Sequence, residues 1–103
     1  MTREEAESLS SARTFCRIET YARGIAVILT RVAPGTGGLW QEEVVSYDLA
    51  EAKGIIAASE AAIEAGLKSR SARMRTCAEA LDQKLAQFMA WATERRAEPA
   101  LAA

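Results

Sequence analysis

Two runs of β-forming residues on either side of a glycine-rich loop constrain the fold of this chain more than any other feature. The run IAVILTRV precedes the loop APGTGG, and the run LWQEEVVSY follows it. Branched and aromatic residues bounded by glycine and proline are typical of strands joined by a hairpin turn. A third run, TFCRIETYA, ends just before the turn at Gly24. We therefore predict a three-stranded antiparallel meander within residues 14–47.

The middle run is apolar at both sets of alternate positions. The two sets are Ile25, Val27 and Leu29, and Ala26, Ile28 and Val32. Because successive side chains of a strand point to opposite faces, this pattern predicts a central strand that is covered on part of both faces. A helix is the alternative for residues 14–29, because apolar residues there also recur at helical spacing. In that helix Gly24 would cost about 1 kcal/mol relative to alanine.

Two capping patterns predict where helices begin. A Thr-x-x-Glu pattern begins at Thr2 and predicts a short first helix over about residues 3–13. An Asp-x-x-Glu pattern begins at Asp48 and precedes a long apolar stripe. We expect this second helix to stop at Gly66, because glycine commonly ends helices.

The last part of the chain predicts a third helix over about residues 71–96, ended by Pro99. Its apolar residues recur at steps of four and three, which is the 3.5-residue period of a helix-packing seam. Packing onto the second helix and the sheet explains this seam, and a homodimer interface is the alternative. The residues of the candidate dimer seam are Met74, Leu81, Leu85 and Phe88.

These elements predict one α+β domain over residues 1–98. It would contain a small three-stranded antiparallel meander, a short N-terminal helix and two long C-terminal helices. Residues 99–103 would form a disordered tail.

The composition leaves little material for catalysis. The chain of 103 residues has no histidine, so it lacks the usual Ser–His or Cys–His nucleophile pair and any imidazole metal ligand. Cys16 and Cys77 lie far apart without CxxC spacing, and we expect both to be small core residues. We therefore predict a protein that is not an enzyme and that uses no cofactor and no metal.

The sequence also predicts where the protein works. The N-terminus MTREEAESLSSAR is acidic and polar, unlike the basic and apolar front of a signal peptide. No apolar run approaches the roughly 18–20 residues that cross a bilayer. We expect a cytoplasmic protein without a membrane partner.

Charge is distributed unevenly along the chain. Residues 1–65 hold 6 basic and 10 acidic side chains, whereas residues 66–103 hold 7 basic and 4 acidic ones. The segment GLKSRSARMRT contains four cations and no anion, and we take these cations as a candidate partner-binding site. They are Lys68, Arg70, Arg73 and Arg75. Glu60 and Glu64 on the preceding helix are candidates to offset this charge.

Residues 57–76 resemble the middle of a helix-turn-helix motif. Ala62 is followed four residues later by Gly66, and a second helix bearing serines and cations comes next. In that motif the second helix enters the major groove, where arginines contact phosphates and guanine edges. Against this reading, the second helix offers only Ala72 and Arg75 as inward residues, and the whole chain is acidic. The alternatives are a solvated turn and a patch that binds an acidic protein surface.

The loop APGTGG and the residues after it supply a second candidate contact region. A phosphate-binding loop would need a lysine and a following helix, and this loop leads into a strand-like run. Exposed tryptophans rank high among interface hot spots, which makes Trp40 a candidate contact residue. Glu42 and Glu43 are adjacent, so on a strand they point to opposite faces, and each is a candidate contact for a basic surface.

We therefore expect a small interaction protein that occupies a surface of another protein or of a protein–nucleic acid complex. Size and acidity are typical of accessory proteins of bacteria or their phages, a group that includes anti-CRISPR inhibitors. Two surfaces are available to such a protein, namely the basic cluster and an acidic set. The acidic set is Glu4, Glu5, Glu7, Glu42 and Glu43. A DNA-binding regulator that uses residues 57–76 is the alternative function.

Overall fold

The computed structural model describes residues 1–97, and the side chains of residues 1–88. Its helices and strands follow the predicted order. They are α1 Arg3–Ser8, β1 Phe15–Tyr21, β2 Gly24–Gly35, β3 Gly38–Ser46, α2 Leu49–Leu67 and α3 Ala72–Ala97. The α+β architecture with a three-stranded antiparallel meander is confirmed. The predicted tail, residues 99–103, lies outside the described residues.

The three strands form one antiparallel sheet in the order β1-β2-β3. The β2–β3 ladder is regular from Val27 opposite Ser46 to Gly35 opposite Gly38, and Gly37 turns the hairpin with a φ of +77°. The helical alternative for residues 14–29 is wrong, because this segment pairs as a strand with β2.

Two hydrophobic clusters cover opposite faces of β2. Val27 and Leu29 pack with α1 and with Ala52 in the first half of α2. Val32 is an odd number of residues from Val27 and Leu29, so its side chain lies on the opposite face of β2. It packs with Ile63 in the second half of α2 and with α3. Because the ladder is regular between these positions, α2 passes from one face of the sheet to the other. The prediction that β2 is covered on parts of both faces is confirmed.

The end of α2 differs from the prediction that Gly66 stops it. The helix continues to Leu67 and is capped by Lys68, and Gly66 is buried. A Cβ at Gly66 would lie 2.8 Å from the Cβ of Ala78 on α3. Close approach of the two helices, rather than a left-handed helix end, therefore requires this glycine.

The first helix is shorter than predicted, and its capping box is formed as expected. The Thr2 hydroxyl accepts from the Glu5 amide, and the Glu5 carboxylate accepts from the Thr2 amide. The helix ends at Ser8 instead of near residue 13. Turns follow it and lead into β1, and Leu9 and Phe15 lie in the core.

The seam of α3 divides between the core and the surface. Leu81 and Leu85 are buried with Val32 and Ile63, which is the packing predicted for a seam directed at α2 and the sheet. Met74 is half-buried, and Phe88 is 37 % exposed. The homodimer interface stays a hypothesis. Such an interface would have only Met74 and Phe88 of the seam available, because Leu81 and Leu85 already contact the chain's own core.

Candidate functional site

The four cations of the basic cluster lie where α2 ends and α3 begins. Lys68 caps α2, and the Ser71 hydroxyl accepts a hydrogen bond from the Met74 amide at 3.3 Å at the start of α3. Three of the cations are exposed and the fourth is half-buried. The exposed ones are Lys68, Arg70 and Arg73, and the half-buried one is Arg75.

Two of these arginines are also part of the packing. The Arg75 guanidinium donates to the Ser69 carbonyl at 2.6 Å and so closes the connection between the helices. The Arg73 guanidinium lies over the hairpin tip, with its Cζ 3.4 Å from the position that a Cβ on Gly37 would take. The fold therefore brings the glycine-rich loop and the basic cluster to one end of the molecule.

The basic cluster has no ion pair with any side chain that the structure describes, whereas most other arginines do. The pairs are Arg3 with Glu7, Arg13 with Glu64 and Asp82, Arg17 with Glu19 and Glu43, and Arg31 with Glu42. Arg73 lies in the first turn of α3, which carries no acidic residue. The helix dipole disfavours a cation there by roughly 0.3–1 kcal/mol. The charge of the cluster is therefore uncompensated.

Glu64, which the sequence suggested as a carboxylate that neutralises the basic cluster, pairs with Arg13 instead. Its carboxylate accepts from Arg13 at 3.1 Å, and the same guanidinium also binds Asp82 on α3. Arg13 therefore links α2 and α3 from the segment before β1. Sequence reasoning missed this role, because Arg13 carries no local pattern that distinguishes it from other surface arginines.

Trp40 and Glu42 lie on the face of the hairpin that points away from Val32 and Leu39, as the regular ladder requires. The Arg31 guanidinium is 5.4 Å from the centroid of the Trp40 ring and also binds Glu42. Trp40 is 40 % exposed. This face therefore presents a tryptophan that is held in place by a stacked arginine.

Glu43 lies on the opposite face of β3, as predicted for a neighbour of Glu42. It pairs with Arg17 at 3.3 Å, and Arg17 also binds Glu19 at 3.0 Å. The hydrogen bond that Arg17 donates to Glu19, assisted by Glu43, raises the pKa of Arg17 above its usual value. The two carboxylates thus share a guanidinium, an arrangement suited to holding strands together.

A groove of about 350 Å³ runs between the end of α3 and this face of the sheet. Its lining residues include Cys16, Thr30, Glu43, Lys84, Leu85 and Phe88. The Cys16 thiol lies 3.2 Å from the Thr30 hydroxyl, and Glu43 is bound to Arg17. Among the described residues, no group of three or more Cys, Asp and Glu side chains is placed to hold a metal ion.

No helix within the described residues has the length and apolar content needed to cross a membrane. The side chains of Met89 and Trp91 lie outside the described residues. Comparison of the chain with protein-family models, with curated proteins and with solved structures finds no match.

Proposed function

We propose that the protein is a small non-enzymatic interaction protein of the accessory or inhibitor type, which uses its basic cluster to occupy an acidic surface of another protein. The observation that carries this proposal is the uncompensated charge of Lys68, Arg70 and Arg73. Elsewhere on the described surface, Arg3, Arg17 and Arg31 are matched by carboxylates of the same chain, and Arg23 lies over the Tyr47 ring. Cations that cost stability in the free protein gain an anionic partner on binding.

The packing around the cluster supports the same proposal. Arg75 is bonded to the connection between the helices, and the hairpin tip lies against Arg73. A surface whose parts are already held loses less conformational entropy when it binds. Arg73 and Arg75 are thus held in place on packed helices, which suits steric blocking of a partner's own binding site.

A non-enzymatic role fits the chemistry of the chain. No histidine is present, and the two carboxylates that lie near each other across the sheet, Glu19 and Glu43, are bound to Arg17. A general acid–base pair needs one carboxyl group whose pKa is raised and one that stays ionised. Glu19 and Glu43 instead share one guanidinium, so the structure gives them no such difference in surroundings.

The experiment is affinity capture from a lysate of the native host with three versions of the protein. The wild type should retain a partner that the cluster variant Lys68→Glu, Arg70→Glu, Arg73→Glu loses. The control variant carries Arg3→Glu, Arg23→Glu and Lys53→Glu, three exposed cations outside the cluster. It has the same net charge and should retain the partner. Equal capture by all three versions would remove the cluster from the proposal.

A DNA-binding regulator remains the second candidate, because α2 and α3 are joined by a short connection with cations at the start of α3. The position of the hairpin tip against Arg73 counts against it, since the tip lies where a recognition helix would meet the groove. Retention on a non-specific duplex near 50 mM salt, lost steeply as salt rises, would favour this candidate. We expect no retention.

A further inference from the structure

The outer edge of β3 presents backbone groups that point away from the sheet. The Leu39 amide donates to the Cys77 thiol at 3.3 Å and therefore points away from β2. In an antiparallel ladder every second residue points the same way. The amides and carbonyls of Gln41, Glu43 and Val45 thus also face outward. They have no hydrogen-bond partner in the part of the chain that the structure describes.

Both ends of this edge are closed by the chain itself. At one end Cys77 on α3 contacts both the amide and the carbonyl of Leu39. At the other end the Met1 ammonium donates to the Tyr47 carbonyl at 2.7 Å. The residues between them, 41–45, form an open window of about 14 Å at 3.4 Å per residue. Its three outward-facing residues are exposed, with Val45 at 47 %.

We propose that the window at residues 41–45 binds an extended segment of another protein, which adds to the sheet as a fourth strand. Unpaired edges invite such pairing, and the added strand gains main-chain hydrogen bonds. The proposal rests on the proposed function only in that the protein works by binding a partner. The window is separate from the basic cluster and is tested without it.

Charge decides which kind of segment fits. β3 carries Glu42 and Glu43 and no cation, and Lys84 of α3 lies beside them in the groove. Arg31 and Arg17 each contact only one oxygen of these carboxylates, and a carboxylate accepts further hydrogen bonds. Two consecutive basic residues on the incoming strand would each lie opposite one glutamate, on opposite faces of the sheet. A branched apolar residue would lie opposite Val45.

The same charges disfavour a second copy of this chain as the occupant. Antiparallel pairing of two β3 edges about Glu42, or about Glu43, would place identical carboxylates directly opposite each other. Like charges in directly opposite positions destabilise a strand pair. We therefore commit to a basic extended segment of a different protein.

The probe is the capped peptide Ser-Val-Thr-Lys-Arg-Thr-Ser, in which valine would lie opposite Val45 and lysine opposite Glu43. In the antiparallel register, the lysine amide faces β3 and the arginine amide faces solvent. N-methylation of lysine should weaken binding by roughly tenfold or more, because a hydrogen bond is lost and the methyl group enters the interface. N-methylation of arginine should change the affinity by less than about twofold. A peptide with two glutamates in place of its cations should bind at least tenfold more weakly.

Protein variants that change Glu43 on β3 test the same strand register. Glu43→Pro removes an outward amide without removing a bond to β2, and proline is tolerated at such edge positions. It should abolish peptide binding. Glu43→Thr also loses the carboxylate but keeps the amide, and it should retain part of the affinity. If Glu43→Pro fails to fold, the pair of N-methyl peptides on the wild type decides the question.

Three results with the peptides would overturn the proposal. These are no binding of the unmodified peptide, equal weakening by both N-methyl groups, and equal binding of the peptide with glutamates. Self-association of the wild type that Glu43→Pro abolishes would show that a second copy occupies the window, and would contradict the occupant proposed. The cluster variant Lys68→Glu, Arg70→Glu, Arg73→Glu should bind the peptide normally. The experiments therefore distinguish failure of the cluster proposal from failure of the proposal that the window binds an extended segment.

Discussion

The Val32 amide on β2 donates to the hydroxyl of Ser59 on α2 at 3.1 Å, and both residues are buried. β1 pairs with β2 only as far as Leu29, and the Thr30 amide is the last to bond towards β1, through the Thr14 carbonyl. Beyond that point Val32 has no strand beside it. Ser59 supplies the missing acceptor, at the place where α2 passes from one face of the sheet to the other.

Replacement of Ser59 by alanine should therefore destabilise the protein by about 1–3 kcal/mol, because a buried amide loses its acceptor. Urea denaturation followed by circular dichroism measures the loss. Ser8→Ala is the matched control, since that hydroxyl is exposed and bonds only within α1, and it should cost less than about 0.5 kcal/mol. Equal losses of unfolding free energy in the two variants would show that the Ser59 hydrogen bond contributes no more to stability than an exposed one.

Two glycines of α2 should respond in opposite directions to alanine. Gly66→Ala would place a Cβ 2.8 Å from Ala78 and 3.3 Å from Leu39, and we expect a loss of about 1–3 kcal/mol from overpacking. Gly54→Ala meets nothing within 4 Å and should gain about 0.5–1 kcal/mol from helix propensity. Thermal unfolding compares the two. A stabilised Gly66→Ala variant would contradict the close approach of α2 and α3.

These two contacts mark the limit of what the sequence predicts about the fold. Local patterns were sufficient for the strands and for the capping box at Thr2, because each depends on neighbouring residues, whereas the loop predicted over APGTGG is a tighter turn between Gly35 and Gly38. Gly66 was read as a helix end, because the sequence does not reveal that Ala78 lies against it. The role of Ser59 depends on where β1 ends relative to α2, which is a relationship across the whole fold.

The capping box of α1 should make this helix sensitive to acid. The hydrogen bond from the Thr2 amide lowers the pKa of Glu5 below 4.5, its usual value. A carboxyl group with a lowered pKa stabilises the folded state fully above its unfolded pKa, and loses this effect as the pH falls through the folded pKa. We expect α1 to loosen progressively as the pH falls below 4.5.

An NMR titration of the Glu5 carboxyl group measures this pKa directly. Glu5→Gln is the control, because an amide oxygen accepts the same hydrogen bond without titrating. In that variant the α1 amides should lose the acid-dependent change. A Glu5 pKa at or above 4.5 would contradict the assignment.

Replacement of Arg73 by glutamate should leave the free protein more stable than replacement of Arg73 by alanine. A carboxylate in the first turn of α3 interacts favourably with the helix dipole, whereas the native guanidinium does not. Arg73→Ala serves as the reference, because both substitutions lose the contact with Gly37. We expect Arg73→Glu to be more stable than Arg73→Ala by about 0.5–1 kcal/mol in chemical denaturation. A less stable Arg73→Glu variant would mean that the cluster is compensated in the free protein.

The candidate site was only partly predictable. The basic cluster could be located from composition alone, because four cations fall within eight positions without an anion. The sequence alone could not show that the charge of the cluster is uncompensated, because that depends on Glu64 pairing with Arg13 from a distant part of the chain. The open window on β3 likewise depends on Cys77 and Met1 meeting the two ends of one strand. Such distant contacts leave no periodic signal in the sequence.

The proposed function depends most on binding of an acidic partner by the basic cluster. The direct measurement is the dissociation constant of the captured partner at low and at physiological salt, for the wild type, the cluster variant and the control variant with reversed cations at positions 3, 23 and 53. We predict that the wild type and the control bind alike and lose affinity as salt rises, and that the cluster variant binds at least roughly tenfold more weakly with little salt dependence. Equal affinity of all three proteins at both salt concentrations would contradict the proposed function.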